Sequence, residues 1–330
     1  MEQRRFGDTD LTASEIGFGT WALGSNWWGE VSEEDGVRLI ELALELGITF
    51  FDTGDAYGRG ANEELVGRVL APHRERVQIS TKFGYDLGSG LQEHSEGERT
   101  QRWDGPFVRE ALEASLRRLG TDRVDLYQLH NPRMDGIEAD ELFAELEALK
   151  AEGKIRHYGI ALGPKIGWRD EGVHALAERS GLTSLQTVYN LLEQAPGAEF
   201  LELAEAYGVG VIARVPTSSG LLEGHLTPDH TFEGNDHRRH RPRSWLIEGL
   251  QKVDLLGFLT RDGERTLAQA AFKYVLAQPA IGCVIHTVNT TAQLDEWAAA
   301  GTDAVPDLDE DELDRVDSLY AAGFGLAAPA

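Results

Sequence analysis

Eight short apolar stretches alternate with helix-like stretches along this chain, and that alternation restricts the fold more than any other property. The strand candidates are Glu15 to Gly19, Thr49 to Asp52, Val77 to Thr81, Val124 to Leu129, Ile155 to Ile160, Ser184 to Val188, Val209 to Ala213 and Ile281 to Ile285. Between them the apolar period is that of an amphipathic helix, as where Val37, Ile40 and Leu44 share one face and Glu41 and Glu45 another. Helix ends are marked chemically. Asn62 is expected to cap a helix whose first turn is acidic (Glu63, Glu64), and Pro106 suits a first helical position. Gly47, Gly120, Gly153 and Gly208 each stop a helix just ahead of a strand.

A strand-helix unit repeated eight times predicts an α/β fold of the (β/α)8 TIM-barrel type, not a doubly wound sheet with a single strand-order switch. No linker interrupts the repeat, so the 330 residues are expected to form one domain. A barrel takes ~250 residues. The remainder falls in an opening β-hairpin around Gly7-Asp8-Thr9-Asp10, a polar loop from Gly84 to Gly105, a long stretch from Pro216 to about Arg243, and a final helix near Asp309 to Ala321. Loops this long in a compact domain are commonly functional, and in a barrel the strand-to-helix face is where ligands bind.

With 31 Lys and Arg against 56 Asp and Glu, the formal net charge is −25. Phosphate backbones and anionic membranes require clustered cations, so neither nucleic acid nor a membrane surface is expected as a partner. No apolar run approaches the ~20 residues of a bilayer span, and the first residues lack an apolar signal segment, so a cytoplasmic location is expected. The single cysteine, Cys283, lies in the apolar stretch Ile281 to Ile285, where a buried, inert thiol is expected.

Asp52, Lys82 and His130 stand at or just past the ends of strand candidates two, three and four, and such ends converge on a barrel's axis. Tyr57 follows in the loop after strand two and can turn back over the same point. A phenol of ordinary pKa ~10 is a poor acid near neutrality, but a neighbouring ammonium favours its phenolate. An aspartate keeps that ammonium charged and aimed, and an imidazole can orient a substrate oxygen. The set suits proton transfer in a carbonyl-alcohol interconversion. No nucleophile elbow, P-loop or metal-ligand spacing is present, so no metal is expected and the hydride must come from a bound cofactor. A rival keeps the barrel but makes Lys82 a Schiff-base nucleophile, as in an aldolase.

The segments Phe51-Asp52-Thr53-Gly54-Asp55-Ala56-Tyr57-Gly58, Ser80-Thr81-Lys82 and Tyr127-Gln128-Leu129-His130-Asn131 resemble signature regions of the aldo-keto reductase superfamily. Further likenesses are Gly17-Phe18-Gly19-Thr20-Trp21, Gln186-Thr187-Val188-Tyr189-Asn190 and Gly220-Leu221-Leu222-Glu223-Gly224, so the resemblance covers nearly the whole chain. It implies Tyr57 as general acid/base, Lys82 and Asp52 as its tuning pair and His130 as substrate orienter. It also implies NADP or NAD held across the barrel mouth, with Thr20, Trp21, Asp52, Gln186, Arg214, Pro216, Leu221, Thr287, Gln293 and Glu296 near it. Trp21, Trp27, Trp28, Tyr85 and His130 would then form the pocket for a small carbonyl or sugar substrate, with Phe83 and Trp103 continuing its wall. The same superfamily includes potassium-channel β subunits, which suggests the alternative of a cofactor-loaded, redox-sensing binding protein. Gly17-Phe18-Gly19-Thr20-Trp21-Ala22 also matches a loose dinucleotide fingerprint, but no helix begins there.

Three departures from the family pattern bear on the cofactor. After strand five, Gly159-Ile160-Ala161-Leu162-Gly163-Pro164 lacks the Ser-Asn or Ser-Arg that contacts the nicotinamide carboxamide. After strand seven Arg214 replaces the aromatic that stacks on the ring; a guanidinium can stack too, or reach a phosphate. After strand eight, Ile285-His286-Thr287 through Trp297 lacks the Lys or Arg that grips a 2′-phosphate, which removes a contact worth roughly 1.5–3 kcal/mol. Tolerance of NAD, or preference for it, follows; His286 is the one weak cation nearby. The basic run Asp236 to Arg243 lies in the strand-seven loop, where attraction of a pyrophosphate or an anionic substrate is the economical reading.

Overall fold

The computed structural model describes residues 1–24, 31–88, 100–163, 168–234 and 236–326. Strands β1 (Gln3–Arg5) and β2 (Thr12–Ser14) form the expected antiparallel hairpin. The eight expected strands follow as β3 (Ile16–Gly19), β4 (Phe50–Asp52), β5 (Gln78–Phe83), β6 (Val124–His130), β7 (Ile155–Ala161), β8 (Ser184–Val188), β9 (Gly210–Arg214) and β10 (Ile281–Thr287). They close into one parallel barrel in chain order, with β10 paired to β3. Its register sets Gly19 beside Asp52, Asp52 beside Ser80, Lys82 beside Gln128 and Val188 beside Arg214. Polar residues at the C-terminal strand ends therefore share one rim.

The helices are α1 (Glu33–Glu45), α2 (Ala61–Leu70), α3 (Gly105–Leu119), α4 (Met134–Ile137), α5 (Asp140–Ala151), α6 (Arg169–Glu178), α7 (Gly197–Tyr207), α8 (Arg243–Leu255), α9 (Leu267–Leu276), α10 (Thr291–Ala299) and α11 (Glu310–Ala321). In α1 the buried stripe is Gly36, Leu39, Ile40 and Ala43, with Val37 and Leu44 at its margins and Glu41 and Glu45 exposed. Asp104 caps α3 with a side-chain bond to the Phe107 amide, so Pro106 is the helix's second residue, where its missing N–H still costs nothing. Among the described residues no helix is long and apolar enough to cross a membrane.

Two apolar layers hold these elements. One lies between strands and helices. The other fills the barrel's lower half with Phe6, Leu11, Ala13, Phe50, Leu126, Ile212, Cys283 and Ile285. Phe6 comes from the opening hairpin and stops the bottom of the barrel. Two glycines make room for it: a Cβ on Gly210 would lie 2.7 Å from Phe6 Cβ, and one on Gly282 would lie 2.9 Å from its ring. Cys283 sits in this layer, its thiol pushed well up by burial, as expected for an inert core sulfur.

The capping role expected of Asn62 is not what forms. Gly60, in the left-handed region at φ 98°, is the residue before α2, and Asn62 turns inward, fully buried. Its amide donates to Thr20 O at 2.8 Å and to Leu23 O, and its carbonyl lies 2.7 Å from Thr20 Oγ1 and 2.5 Å from Thr53 Oγ1. Glu63, expected on an acidic first turn, is equally buried; it accepts from Thr81 Oγ1 at 2.5 Å and pairs with Arg118 at 2.6 Å.

Candidate active site

Asp52 ends β4 and points into the barrel, where its carboxylate is filled with donors. Oδ1 accepts from Ser80 Oγ at 3.0 Å, Gln128 Nε2 at 3.1 Å and Gln186 Nε2 at 3.3 Å, and Oδ2 accepts from Lys82 Nζ. Lys82, one residue from the end of β5, is only 1% exposed. Its ammonium also donates to Thr53 O at 2.7 Å and to Tyr57 Oη at 3.1 Å. Burial alone would strip that charge, but Asp52 and Tyr57 outweigh it and hold the ammonium above its ordinary value. With all three protons engaged, the nitrogen has no lone pair to offer a carbonyl, which sets the Schiff-base rival aside.

Tyr57 is brought back over this pair by a tight turn. Its amide donates to Gly54 O at 3.0 Å, and Gly58 (φ 55°), Arg59 (φ 53°) and Gly60 then carry the chain into α2 through the left-handed region. At Gly58 a side chain is impossible, because a Cβ would stand 2.7 Å from Gly24 O. His130, last in β6, sets its ring edge-on to Tyr57 (centroids 5.6 Å, 81°) and to Tyr85 (4.9 Å, 68°). Gln101 secures this strand end by donating to His130 O at 2.8 Å, and Asn131 donates to Tyr85 Oη at 2.7 Å. The four residues expected to carry chemistry are thus brought together.

Above them opens a cavity of about 320 Å³. Of the residues expected around cofactor and substrate, Thr20, Trp21, Asp52, Tyr57, His130, Gln186, Arg214 and Thr287 line it. Pro216 and Leu221 are buried beside it, Leu221 against Gly249. Gln293 and Glu296 lie on α10 away from the cavity, Gln293 donating to Glu223 at 3.3 Å and Glu296 accepting from Thr266 Oγ1 at 2.6 Å. Tyr85, expected in the substrate pocket, is not among the described residues that line the cavity; it packs edge-on to His130 and accepts from Asn131, which do. Phe83 and Trp103 do not form its wall: both are buried core, Phe83 stacked on Tyr127 at 4.2 Å and Trp103 edge-on to Phe83. Trp27 and Trp28 lie outside the described residues.

Sequence reasoning gave no role to Asn131, Thr217 or Ser219, which also line the cavity. For Asn131 and Ser219 the signal is conformational: Asn131 (φ 53°), Val215 (φ 60°) and Ser219 (φ 57°), with Ser218 (φ 49°) beside them, are non-glycine residues in the left-handed region at the cavity. A β-branched residue there is a true outlier, and such strain gathers at ligand clamps. His237 also reaches the cavity, edge-on to Trp21 at 5.6 Å, its imidazole pushed by burial down to about 4. The basic run around it serves largely its own loop. Arg238 pairs with Asp236 at 2.6 Å and donates to Ser219 O at 3.2 Å, Arg239 donates to Gly234 O, and Arg243 donates to His230 O and Pro228 O.

Two of the departures from family pattern meet here. Arg214 ends β9, and its Nη2 donates at 2.5 Å to Leu162 O, in the segment after β7 that lacks Ser-Asn. Among the described residues no carboxylate pairs with it, and its Nε is buried with no hydrogen-bond partner. The third departure is different. His286 is buried, stacked on Trp297 at 3.9 Å, with Nδ1 2.7 Å from Thr287 O and Nε2 2.7 Å from Thr217 Oγ1; burial holds it below its ordinary value, which opposes a cationic role.

Comparison with known proteins agrees with this geometry. The model of the aldo/keto reductase family matches residues 15–321. Aldo-keto reductase YhdN of Bacillus subtilis is 33% identical over 304 residues, covering 89% of this chain and 87% of its own. The uncharacterized oxidoreductase YqkF of the same organism is 31% identical, with 90% of each chain covered. Among solved structures, the glycerol dehydrogenase AKR11B4 from Gluconobacter oxydans superposes with a TM-score of 0.83 at 28% identity over 99% of this chain and 97% of its own. The holo form of AKR11C1 from Bacillus halodurans gives 0.77 at 29% identity, over 97% and 96%. A closed barrel with Asp52, Tyr57, Lys82 and His130 gathered at its mouth, a family model spanning nearly its whole length and relatives of this identity place the chain in the aldo/keto reductase family.

Proposed function

We propose that this chain moves a hydride between a nicotinamide nucleotide and an aldehyde, ketone or sugar carbonyl or alcohol carbon, with Tyr57 as general acid/base. The observation that carries this reading is the 3.1 Å bond from Lys82 Nζ to Tyr57 Oη, made by an ammonium that Asp52 holds charged in a buried site. The site fits a nicotinamide nucleotide: a cavity opens over Tyr57, Gln186 offers an amide, and Arg214 holds an unpartnered N–H within reach of the same space. When bound, the cofactor supplies the hydride. Everything else falls to the chain. Tyr57 gives its proton to the carbonyl oxygen as the carbon gains the hydride, and Lys82 stabilises the phenolate that remains. His130, beside Tyr57, orients that oxygen, while Trp21 and His237 shield the exchange from water. In the alcohol direction the same proton returns to Tyr57.

Cofactor choice follows from the segment after β10, beyond the cavity itself. Gln293 and Glu223, a neutral amide and an acid, are joined there, and no lysine or arginine occurs between Ile285 and Trp297. This supports use of NAD at least as readily as NADP. Intrinsic tryptophan fluorescence titrations should give NADH a dissociation constant no weaker than that of NADPH, and a clear NADPH preference refutes this part. Tyr57→Phe tests the chemistry: nucleotide binding should persist while turnover of small aldehydes and sugars falls by about 10²–10⁴. Near-full turnover by the variant removes Tyr57 from its role. A wild-type protein that binds nucleotide but turns over no carbonyl would match the redox-sensing binding protein instead.

A further inference from the structure

Among the described residues that line the cavity the charges do not balance, and the excess lies on Arg214; the nearby Glu223 carboxylate stands behind Thr217 and His286, accepting from Thr217 Oγ1 at 2.8 Å. Lys82 and Asp52 offset one another in direct contact. His237 and His286, which line the cavity from the β9 loop and from β10, are kept neutral by burial, and any proton on His130 would add positive charge, not remove it. Arg214 is different: it has one neutral partner, Leu162 O, a buried unpartnered Nε, and no carboxylate among the described residues. Withdrawn from solvent, its guanidinium is pulled below its ordinary value, with the Asp52 carboxylate opposing that shift, and it lines the same cavity as Tyr57 and Asp52. A cation left this exposed to a cavity must be felt by whatever ring enters it.

We infer that Arg214 makes this site discriminate by redox state, binding the reduced nicotinamide, whose ring is neutral, in preference to the oxidised ring, which is a cation. The inference rests on the proposed nicotinamide chemistry and adds to it a preference between the two redox states of the cofactor. A ring close enough to the Tyr57 oxygen for hydride transfer shares a space of about 320 Å³ with the guanidinium. Two like charges at such a separation in a partly dry site repel enough to change affinity roughly tenfold or more. The segment after β7 contributes only its carbonyl to this arrangement, so the cation is both tethered and unneutralised.

The test is a set of paired titrations, NADH and NAD⁺ against wild type, Arg214→Gln, Arg214→Met and Arg214→Lys, read by tryptophan quenching or calorimetry, with circular dichroism confirming that each variant is folded. Wild type and Arg214→Lys should bind NADH at least tenfold more tightly than NAD⁺, and the two neutral variants should lose most of that ratio. The inference is overturned if a folded neutral variant keeps the wild-type ratio, or if wild type binds the two forms equally. Either result leaves the proposed chemistry standing. Failure of wild type to bind either nucleotide would instead overturn the nicotinamide reading itself, and this inference with it.

Discussion

Asn62 shows how one side chain can be misread from its neighbours. Standing just ahead of two glutamates, it looks like a cap, yet its amide is the link among three loops, touching Thr20, Leu23 and Thr53 beneath the cavity rim. The two readings predict different energies. A cap lost to alanine costs about 1 kcal/mol, whereas leaving several buried polar groups unpaired costs roughly 2–4 kcal/mol. Chemical denaturation of Asn62→Ala should give the larger value, and Asn62→Ser, which keeps a capping oxygen, should be nearly as unstable. Tyr57, Lys82, Asp52 and His130 were legible in the sequence because strand ends converge whatever the details. The reach of Arg214 to Leu162 O was not, since it joins residues 52 positions apart through a backbone carbonyl that carries no sequence signal.

Among the elements, α11 is held to the barrel by charge as much as by apolar contact. Glu312 accepts from Arg265 at 2.5 Å and from Arg261 at 2.9 Å, while Arg265, fully buried at its side chain, also donates to Leu259 O, Pro306 O and Asp307 O. Burial alone would raise this carboxyl, but its bonds to the two arginines outweigh that and bring it from 4.5 down to about 2. A lowered folded value means stability that is complete above the ordinary carboxylate range and disappears as pH falls toward 2. Glu312→Gln should therefore be roughly 3–5 kcal/mol less stable than wild type near neutrality, since Arg265 is left buried without its partner. Urea midpoints for the two proteins should draw together as pH drops from 4.5 toward 2, and a constant gap would disprove the assignment. The final helix was visible in the sequence by its position and acidic start; its anchor was not, because an arginine inside a core looks like a surface residue in a list of letters.

For the whole molecule, period and punctuation were enough to reveal the barrel. Every expected strand formed, and the discrepancies lie at the ends: β5, β6 and β10 run on through Lys82, His130 and Thr287, polar residues that a hydropathy pattern assigns to loops although the ladder still includes them. The strand ends that confuse the pattern are thus the ones that carry the site. The role of the opening hairpin was hidden for another reason. Phe6 fits only because Gly210 and Gly282, more than 200 positions away, lack side chains, and nothing local to residues 1–15 announces that. Its presence makes the barrel a cul-de-sac. With the lower half packed solid, the nucleotide and substrate proposed for this site would both enter from the strand ends, so whichever lay deeper would have to arrive before the other and depart after it. Queueing of that kind would be imposed by a phenylalanine at the opposite end of the barrel from the tyrosine proposed to move the proton.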